Sequence, residues 1–337
     1  MVSGCATSLP DGGFQVFSSP SSGAIIQRIH LSDNMIQAGE NLGIIAEIFP
    51  EKAKGKNAEW IGCSVRDPLG QWHDLAAQIL PQKKSHQIVH VRFNWTLPSD
   101  PLHPSGDYDV VVAAWSGKPG GRGSRRMEHH RLDDVFHGYR YRENFQKSDL
   151  EKWKRSEHRL GKGRFSPEYV SIADNRLQLR LPASSFDGAE IQSTERVLYG
   201  DYKVNLKTPD APGAFTAFFL YQDYWTTQGH DEIDIEIYTD GTRRVNFATW
   251  IGGELTHIND SVEVRLPFDP SDGFHTYRIQ FYPEIISFYA DETKLIEWTK
   301  KLPTHPMKLM VNAWWPKWLE ADPLQHDAFL EVDWIEY

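Results

Sequence analysis

Three carboxylates alternate with three isoleucines in the stretch HDEIDIEIY, which runs from His230 to Tyr238. In an extended strand, successive side chains point to opposite faces, so Glu232, Asp234 and Glu236 share one face and the isoleucines share the other. At a rise of about 3.3 Å per residue, neighbouring acids lie about 7 Å apart at the backbone, close enough to raise the pKa of at least one. The pattern predicts a half-buried strand that presents three acids on its open side.

Two carboxyl groups of unequal pKa are the groups that cleave a glycosidic bond. The protonated one protonates the leaving oxygen, and in retaining enzymes the ionised one attacks the anomeric carbon, with the two carboxyl groups about 5–5.5 Å apart. The backbones of Glu232 and Glu236 are about 13 Å apart by strand rise, so their side chains would have to lean together on a concave sheet. Asp234, between them, is suited to share a proton or a hydrogen bond. A solvated acidic sheet face would show the same pattern, so the surrounding sequence has to decide.

Length and composition narrow the choice of partners. The chain has 337 residues, which favours two domains. Its 12 tryptophans are suited to stack on sugar rings or to fill the interior of a β-sandwich. A net charge of −10 without a long basic run disfavours nucleic acid and anionic membranes as partners. The apolar runs are too short to span a membrane.

The N-terminal sequence Val2-Ser3-Gly4-Cys5 resembles the end of a bacterial lipoprotein signal. We therefore expect Cys5 to carry a lipid, which would place the protein in the bacterial cell envelope, anchored in the periplasm or outer membrane, or secreted. An ordinary cytoplasmic start is the alternative. Residues 1–22 are rich in Ser, Pro and Gly and predict a flexible tether. The other cysteine, Cys63, is expected in a core, and no structural disulfide is expected.

The rest of the chain predicts an all-β protein. Residues 23–116 hold alternating segments such as LGIIAEIF and IVHVRFNWTL between turn clusters, which predicts an immunoglobulin-like or fibronectin-like β-sandwich. Residues 117–134 are Gly-rich and basic and predict a linker. Residues 135–337 contain many strands and little helix, which predicts a β-jelly-roll sandwich with a concave cleft.

This last region resembles glycoside hydrolase family 16, especially the bacterial lichenase-like β-glucanases, in several segments that occur in the family's order. EIDIE is similar to the family's catalytic strand in its form without a bulge. The other segments are GAEIQST, YGDYKVNLKTP, GAFTAFFLY, GFHTYRIQFYPEIISFYADE and the closing pair MVNAWW and LEVDWIEY. The resemblance implies a retaining endo-glycoside hydrolase that cleaves a β-linked glucan, with β-1,3 or mixed β-1,3-1,4 linkage, or a related exopolysaccharide. A glucan transglycosylase and a non-catalytic carbohydrate-binding envelope protein remain alternatives.

The resemblance also implies roles for single residues. Glu232 would be the nucleophile, Glu236 the acid and base, and Asp234 a hydrogen-bond partner of the nucleophile. Phe219 matches a cleft position too, but its apolar neighbours favour core packing. The predicted substrate-binding residues are Glu190, Tyr221, His230, Asn246, Trp250, Asn312 and Trp314.

Several positions depart from the lichenase-like pattern. His230 stands where these enzymes have tryptophan, Gln192 where they have arginine, and Ala248 where they have asparagine. The departures put mixed-linkage glucan in doubt, so a β-1,3-glucan or an exopolysaccharide fits as well. The resemblance implies no catalytic cofactor, but it implies a structural calcium ion near Asp333, which would need further oxygen ligands.

Overall fold

The computed structural model describes residues 13–55, 57–80, 88–100, 103–147, 150–224, 229–255 and 262–337. Contacts between residues divide the chain into two compact units, Met1–Arg140 and Tyr141–Tyr337. Among the helices of the described ranges, none has the length and apolar character that a membrane span requires. Cys5 lies outside the described residues, so lipid attachment at this cysteine stays a prediction.

The first unit consists of two β-sheets around a core of its own. Its elements are β1 (Phe14–Ser18), β2 (Ile26–Leu31), β3 (Met35–Gln37), β4 (Asn41–Ile48), α1 (Pro50–Gly55), β5 (Trp60–Arg66), β6 (Trp72–Asp74), β7 (Gln78–Ile79), β8 (Val89–Thr96), β9 (Gly106–Trp115) and β10 (Arg126–Tyr139). The sheet orders are β1-β2-β4-β8 and β3-β10-β9-β5-β6, with β7 beside β5. Cys63 is buried in this core, as predicted. The immunoglobulin-like character of the unit stays a prediction.

The structure differs from the predicted boundaries of this unit at both ends. Strand β1 lies inside the predicted tether 1–22 and pairs with β2. The predicted linker 117–134 is wrong, because residues 116–125 form a turn and β10 returns antiparallel along β9. Gly120 and Gly123 take positive φ angles of 76° and 80° in that turn. Most residues of β10 are polar and only two of its 14 residues are buried, so hydrophobic periodicity did not reveal a strand that backbone hydrogen bonds hold.

The second unit is a larger sandwich made of two eight-stranded sheets and a short hairpin. Its elements are β11 (Arg142–Glu143), β12 (Trp153–Arg155), β13 (Arg159–Leu160), β14 (Gly163–Arg164), the 3-10 helix Pro167–Tyr169, β15 (Val170–Ala173), β16 (Arg176–Leu181), β17 (Ala189–Ser193), β18 (Gly200–Lys207), β19 (Phe215–Tyr221), β20 (Glu232–Tyr238), β21 (Arg244–Ile251), β22 (Glu254–Leu255), β23 (Val262–Arg265), β24 (His275–Tyr282), β25 (Ile285–Ala290), β26 (Thr293–Trp298), β27 (Lys308–Trp314) and β28 (Ala328–Glu336). The prediction of an all-β jelly-roll sandwich is confirmed.

One sheet of the second unit bears the predicted acids. Its order is β12-β17-β27-β19-β20-β21-β22, with β23 beside β21. The other sheet has the order β15-β16-β28-β18-β24-β25-β26, with β11 beside β28. A single apolar core includes residues of both sheets, for example Ile235 and Val311 from the first and Val204 and Ile279 from the second. Side chains of β20 that point away from this core are therefore free to line the open face of the acid-bearing sheet.

Candidate active site

Strand β20 has the alternation that its sequence predicts. Ile233, Ile235 and Ile237 are fully buried in the core of the sandwich. Burial of isoleucine side chains stabilises a fold by about 1.5–3 kcal/mol each, so this face fixes the register of the strand. Glu232 and Glu236 are half-buried on the opposite face, and Asp234 between them is 6% exposed.

The strands on either side of β20 determine which residues lie beside each acid. Glu232 lies opposite Tyr221 of β19 and Trp250 of β21. Glu236 lies opposite Ala217 and Asn246. Because directly opposite residues project on the same side of a sheet, these side chains surround the acids.

The acids lie in a cleft with a volume of about 720 Å³ on the open face of the sheet. Six of the seven predicted substrate-binding residues line it together with the three acids, namely Glu190, Tyr221, Asn246, Trp250, Asn312 and Trp314. The combination of aromatic rings, an amide and carboxylates is typical of a site for a neutral, hydroxyl-rich ligand.

Glu236 is placed to hold a proton. Burial raises the pKa of its carboxyl group, and the negative charge of Glu232 raises it further. Asn246 Nδ2 donates a hydrogen bond to Glu236 Oε2 at 3.0 Å, which opposes this by stabilising the charged form. The amide also fixes the direction of the carboxyl group in the cleft.

Asp234 has a strongly perturbed carboxyl group. Burial raises its pKa well above the ordinary range, and the charges of Glu232 and Glu236 add to the effect, while a hydrogen bond with Trp250 lowers it. The protonated form of the Asp234 carboxyl is therefore favoured, and in that form Asp234 is the donor in its hydrogen bond with Glu232. A proton held on Asp234 lowers the repulsion among the three acids.

His230 contacts the row of three acids from its end and is not among the residues that line the cleft. Its Nε2 lies 3.4 Å from Glu232 Oε2, and its ring centroid is 5.0 Å from that of Tyr221. The predicted stacking position is thus filled by a smaller ring beside Glu232. Contact with substrate at His230 stays a prediction.

Glu190 and Asn312 form a buried pair in the floor of the cleft. Asn312 Nδ2 donates to Glu190 Oε2 at 3.0 Å, and each residue is 2% exposed. Burial raises the pKa of Glu190 to about 7, against the lowering effect of hydrogen bonds with Asn312 and Ser156. In the sheet, Glu190 lies opposite Asn312, Asn312 lies opposite Ala217, and Ala217 lies opposite Glu236. The buried pair is therefore at the same level of the sheet as Glu236.

Some residues that line the cleft were not predicted from the sequence, although the alternation along β19 indicates one of them. Phe219, which we expected in the core, lies opposite Asp234 and Met310 and lines the cleft. Its apolar neighbours Phe218 and Leu220 point into the core of the sandwich. Because Tyr221 was predicted to line the cleft, strand alternation places Phe219 on the same face. His158 and Trp318 also line the cleft, but they follow no sequence periodicity, so no pattern in the sequence could have revealed them.

Asp231 is a further residue that sequence reasoning left out. It is 2% exposed, and its carboxylate accepts hydrogen bonds from Gly252 N–H, Thr304 N–H and His305 Nδ1 at 3.2, 3.1 and 2.8 Å. It immediately precedes Glu232, so it ties the start of β20 to two other loops. A buried carboxylate with this many donors positions backbone rather than reacting.

The residues around Asp333 do not fit the predicted calcium ion. Asp333 is half-exposed, and its Oδ1 lies 3.7 Å from Arg176 Nε, which supplies a competing positive charge. Calcium takes six to eight oxygen ligands, and in the described part of the chain Asp333 belongs to no cluster of three potential acidic or histidine ligands. We derive no role for a metal.

A family profile and individual known proteins that are similar to this chain point to the same family. The profile of the family described as "Glycosyl hydrolases family 16" matches residues 162–336, within the second unit. A beta-glucanase of Paenibacillus macerans is 33% identical over 171 residues, which are 49% of this chain and 71% of that protein. A beta-glucanase of Bacillus subtilis is 31% identical over 173 residues, 50% of this chain and 70% of the relative.

Solved structures of beta-glucanases have a fold similar to that of this chain over 58% of its length. The beta-glucanase of Bacillus licheniformis superposes with a TM-score of 0.54 at 26% identity, over 58% of this chain and 96% of that one. A prokaryotic beta-1,3-1,4-glucanase (lichenase) from a mouse hindgut metagenome gives a TM-score of 0.52 at 26% identity, over 58% and 97% of the two chains.

Proposed function

This chain belongs to glycosyl hydrolase family 16, and from that premise we propose that its second unit is a retaining endo-glycoside hydrolase that cleaves a β-linked glucan. The observation that carries the proposal is the row of three acids on β20, which line one cleft in which the pKa values of Asp234 and Glu236 are raised. The proposed substrate is a β-1,3 or mixed-linkage β-glucan, or a related exopolysaccharide. The names of the relatives support the substrate class, since they are beta-glucanases.

The proposed first step forms a covalent glycosyl-enzyme. Glu236 donates its proton to the glycosidic oxygen while an oxygen of Glu232 attacks the anomeric carbon. The bond from that carbon to the leaving oxygen breaks, and the leaving sugar departs with the proton. The raised pKa of Glu236 supports this assignment, because the acid must hold its proton near neutral pH.

The second step regenerates the enzyme. The Glu236 carboxylate now takes a proton from water, the water oxygen attacks the anomeric carbon, and Glu232 leaves as a carboxylate. The raised pKa of Asp234 favours its protonated form, and in that form Asp234 donates a hydrogen bond that stabilises the charge of Glu232 whenever Glu232 is not bonded to sugar. Two displacements at one carbon retain the β configuration of the product.

The stereochemistry and the nucleophile can be tested together. Proton NMR of fresh hydrolysate should show the β anomer before mutarotation. Glu232→Ala should lose hydrolysis, and azide should restore turnover with an α-glycosyl azide as product, because a small anion then attacks in place of the carboxylate. Glu331→Gln, a substitution of a carboxylate on the other sheet, is the matched control and should keep its activity.

Two results would reject the proposal. One is release of reducing ends from soluble β-glucans by Glu232→Ala without azide. The other is an α anomer as the first product of the wild type, which indicates a single displacement.

A further inference from the structure

The sheet β3-β10-β9-β5-β6 of the first unit has one side in the core and one side open to solvent. Along β5, Ile61, Cys63 and Val65 lie in the core, and the residues between them are half-buried on the other side. Strands β6 and β9 pair with β5, and β10 pairs with β9, so directly opposite residues share a side. We call the solvent side the outer face. It includes Trp60 and Arg66 of β5, Trp72 of β6, Asp109 and Trp115 of β9, and Arg131 of β10.

Trp72 presents its indole to solvent on the outer face. It is 44% exposed, and it is the only exposed tryptophan, tyrosine or phenylalanine among the described residues of the first unit. In the sheet it lies opposite Arg66. The reaction in the second unit makes no use of this ring, although a ligand that covered it would remove a large apolar surface from water.

Two arginines and a buried aspartate hold the ring of Trp72 in place. The Cζ atoms of Arg66 and Arg131 each lie 5.8 Å from its centroid. Both guanidinium groups donate to Asp109 Oδ2, at 3.4 and 2.7 Å. Asp109 is 7% exposed, and its Oδ1 accepts a hydrogen bond from Asp134 N–H at 3.0 Å. The indole therefore rests on guanidinium groups that a carboxylate fixes against the sheet, which lowers the entropic cost of binding a ligand.

Trp60 and Trp115 form a second aromatic position on the outer face. They lie directly opposite each other, and both are half-buried. A Cβ atom at Gly62 would lie 3.3 Å from Trp115 Nε1, so the missing side chain gives this indole room against β5. Arg66, which pairs with Trp72, follows Trp60 by six residues in β5. The two aromatic positions are therefore about 20 Å apart by strand rise.

The outer face between these positions is small or polar. Its residues include Gly62 and Ser64, and Ser64 Oγ donates to Asp74 Oδ1 at 2.6 Å. A protein partner would favour a continuous apolar centre, whereas here hydrogen-bonding groups separate the indoles.

An anionic ligand is also disfavoured on this face, because carboxylates already neutralise the arginines. Asp109 binds both guanidinium groups, and Arg131 Nε lies 2.5 Å from Asp133 Oδ1. Indoles that alternate with neutral or paired polar groups match an uncharged polysaccharide, whose sugar rings have apolar faces and hydroxyl edges.

We propose that the outer face of the first unit is a second binding site, which holds an uncharged β-glucan chain along Trp72 and the Trp60–Trp115 pair. The inference takes its ligand class from the proposed function, but it uses no residue of the second unit. The site has no part in the reaction. It keeps the protein on the polymer, so that the effective concentration of substrate for the second unit rises.

Affinity electrophoresis measures this binding without cleavage. The full-length parent carries Glu232→Gln and Trp250→Ala, which weaken both turnover and binding by the cleft. It runs in native gels that contain soluble β-glucan at a series of concentrations. Addition of Trp72→Ala should lower the affinity about tenfold, from roughly 50–60 Å² of lost apolar contact. Trp72→Phe, which keeps a ring, should fall between.

Ile88→Ala is the matched control. It removes an apolar side chain that is 41% exposed in the same unit and immediately precedes β8 of the other sheet. Its retardation should equal that of the parent. Salt at about 0.5 M should leave the affinity of the parent unchanged, because the ligand carries no charge.

Three results would overturn the site. One is equal retardation of the parent and Trp72→Ala, and another is an equal loss in Ile88→Ala. The third comes from sedimentation equilibrium, if the parent is a dimer that Trp72→Ala dissociates while gel retardation is unchanged. In that case the outer face is a contact between two copies of the chain.

Failure of this inference is distinct from failure of the proposed function. A tenfold loss in Trp72→Ala supports the second site even if the wild type releases no reducing ends, an outcome that would reject only the proposed reaction. Cleavage by the wild type together with unchanged retardation of Trp72→Ala would reject only the second site.

Discussion

Replacement of Glu236 by glutamine should separate substrates by their leaving group. Glutamine keeps the shape of the side chain, and its carbonyl oxygen can still accept the hydrogen bond that Asn246 donates at 3.0 Å. The change removes the transferable proton and leaves Glu232 and Asp234 in place. It therefore tests proton donation and little else.

The expected magnitude follows from the burial of Glu236. Burial and the charge of Glu232 raise its pKa, which favours the protonated acid, and the variant loses the contribution of that proton. General acid catalysis contributes about 10²–10⁴-fold, or about 3–5 kcal/mol of barrier. The rate of β-glucan hydrolysis should fall by that factor, because the leaving group is a sugar hydroxyl that needs a proton. In an aryl β-glucoside with an acidic phenol, the phenolate leaves without protonation, so the rate of the first step should fall by less than about tenfold.

The assay is single-turnover and steady-state kinetics on both substrates. The variant should show a burst of phenol, because glycosyl-enzyme accumulates when no base activates water. Glu331→Gln should behave as the wild type on both. Equal losses on the glucan and the aryl glucoside would refute the assignment of Glu236 as the acid.

Two further predictions concern pH. Asn246→Ala removes a hydrogen bond that stabilises charged Glu236, so the pKa of Glu236 should rise and the basic limb of the kcat/KM profile should move to higher pH; an unchanged or lower limb would contradict this role. Glu190 has its folded-state pKa raised to about 7, so the folded state binds its proton more tightly and stability should fall as pH rises from about 4.5 to 7. Urea unfolding should show that the stability of Glu190→Gln relative to the wild type rises by about 2.5 kcal/mol between pH 5 and pH 8, whereas the same pH dependence in both proteins would refute ionisation of a buried Glu190.

Strand β20 was predictable from sequence because its two faces differ in chemistry. Alternation of Ile235 and its neighbours with acids has one solution, a half-buried strand, and six of seven predicted binding residues line the cleft because they lie on adjacent strands. The hairpin at residues 117–134 was not predictable by the same means. Strand β10 is held by backbone hydrogen bonds and exposes polar side chains, so its sequence resembles a linker. Trp318 also escaped, since it stands on a loop whose path depends on distant contacts such as Lys162.

The alternation of β20 makes this segment intolerant of changes in length. One residue inserted between Glu232 and Glu236 would reverse the facing of every position beyond it, so that an acid would enter the hydrocarbon interior and isoleucines would appear in the groove. Such a protein would be lost to misfolding before its catalytic defect could be measured. Only an insertion absorbed as a local bulge, which restores the facing of the following residues, would survive selection. Related sequences that differ in length between the positions of Glu232 and Glu236 should therefore have a one-residue bulge in this strand.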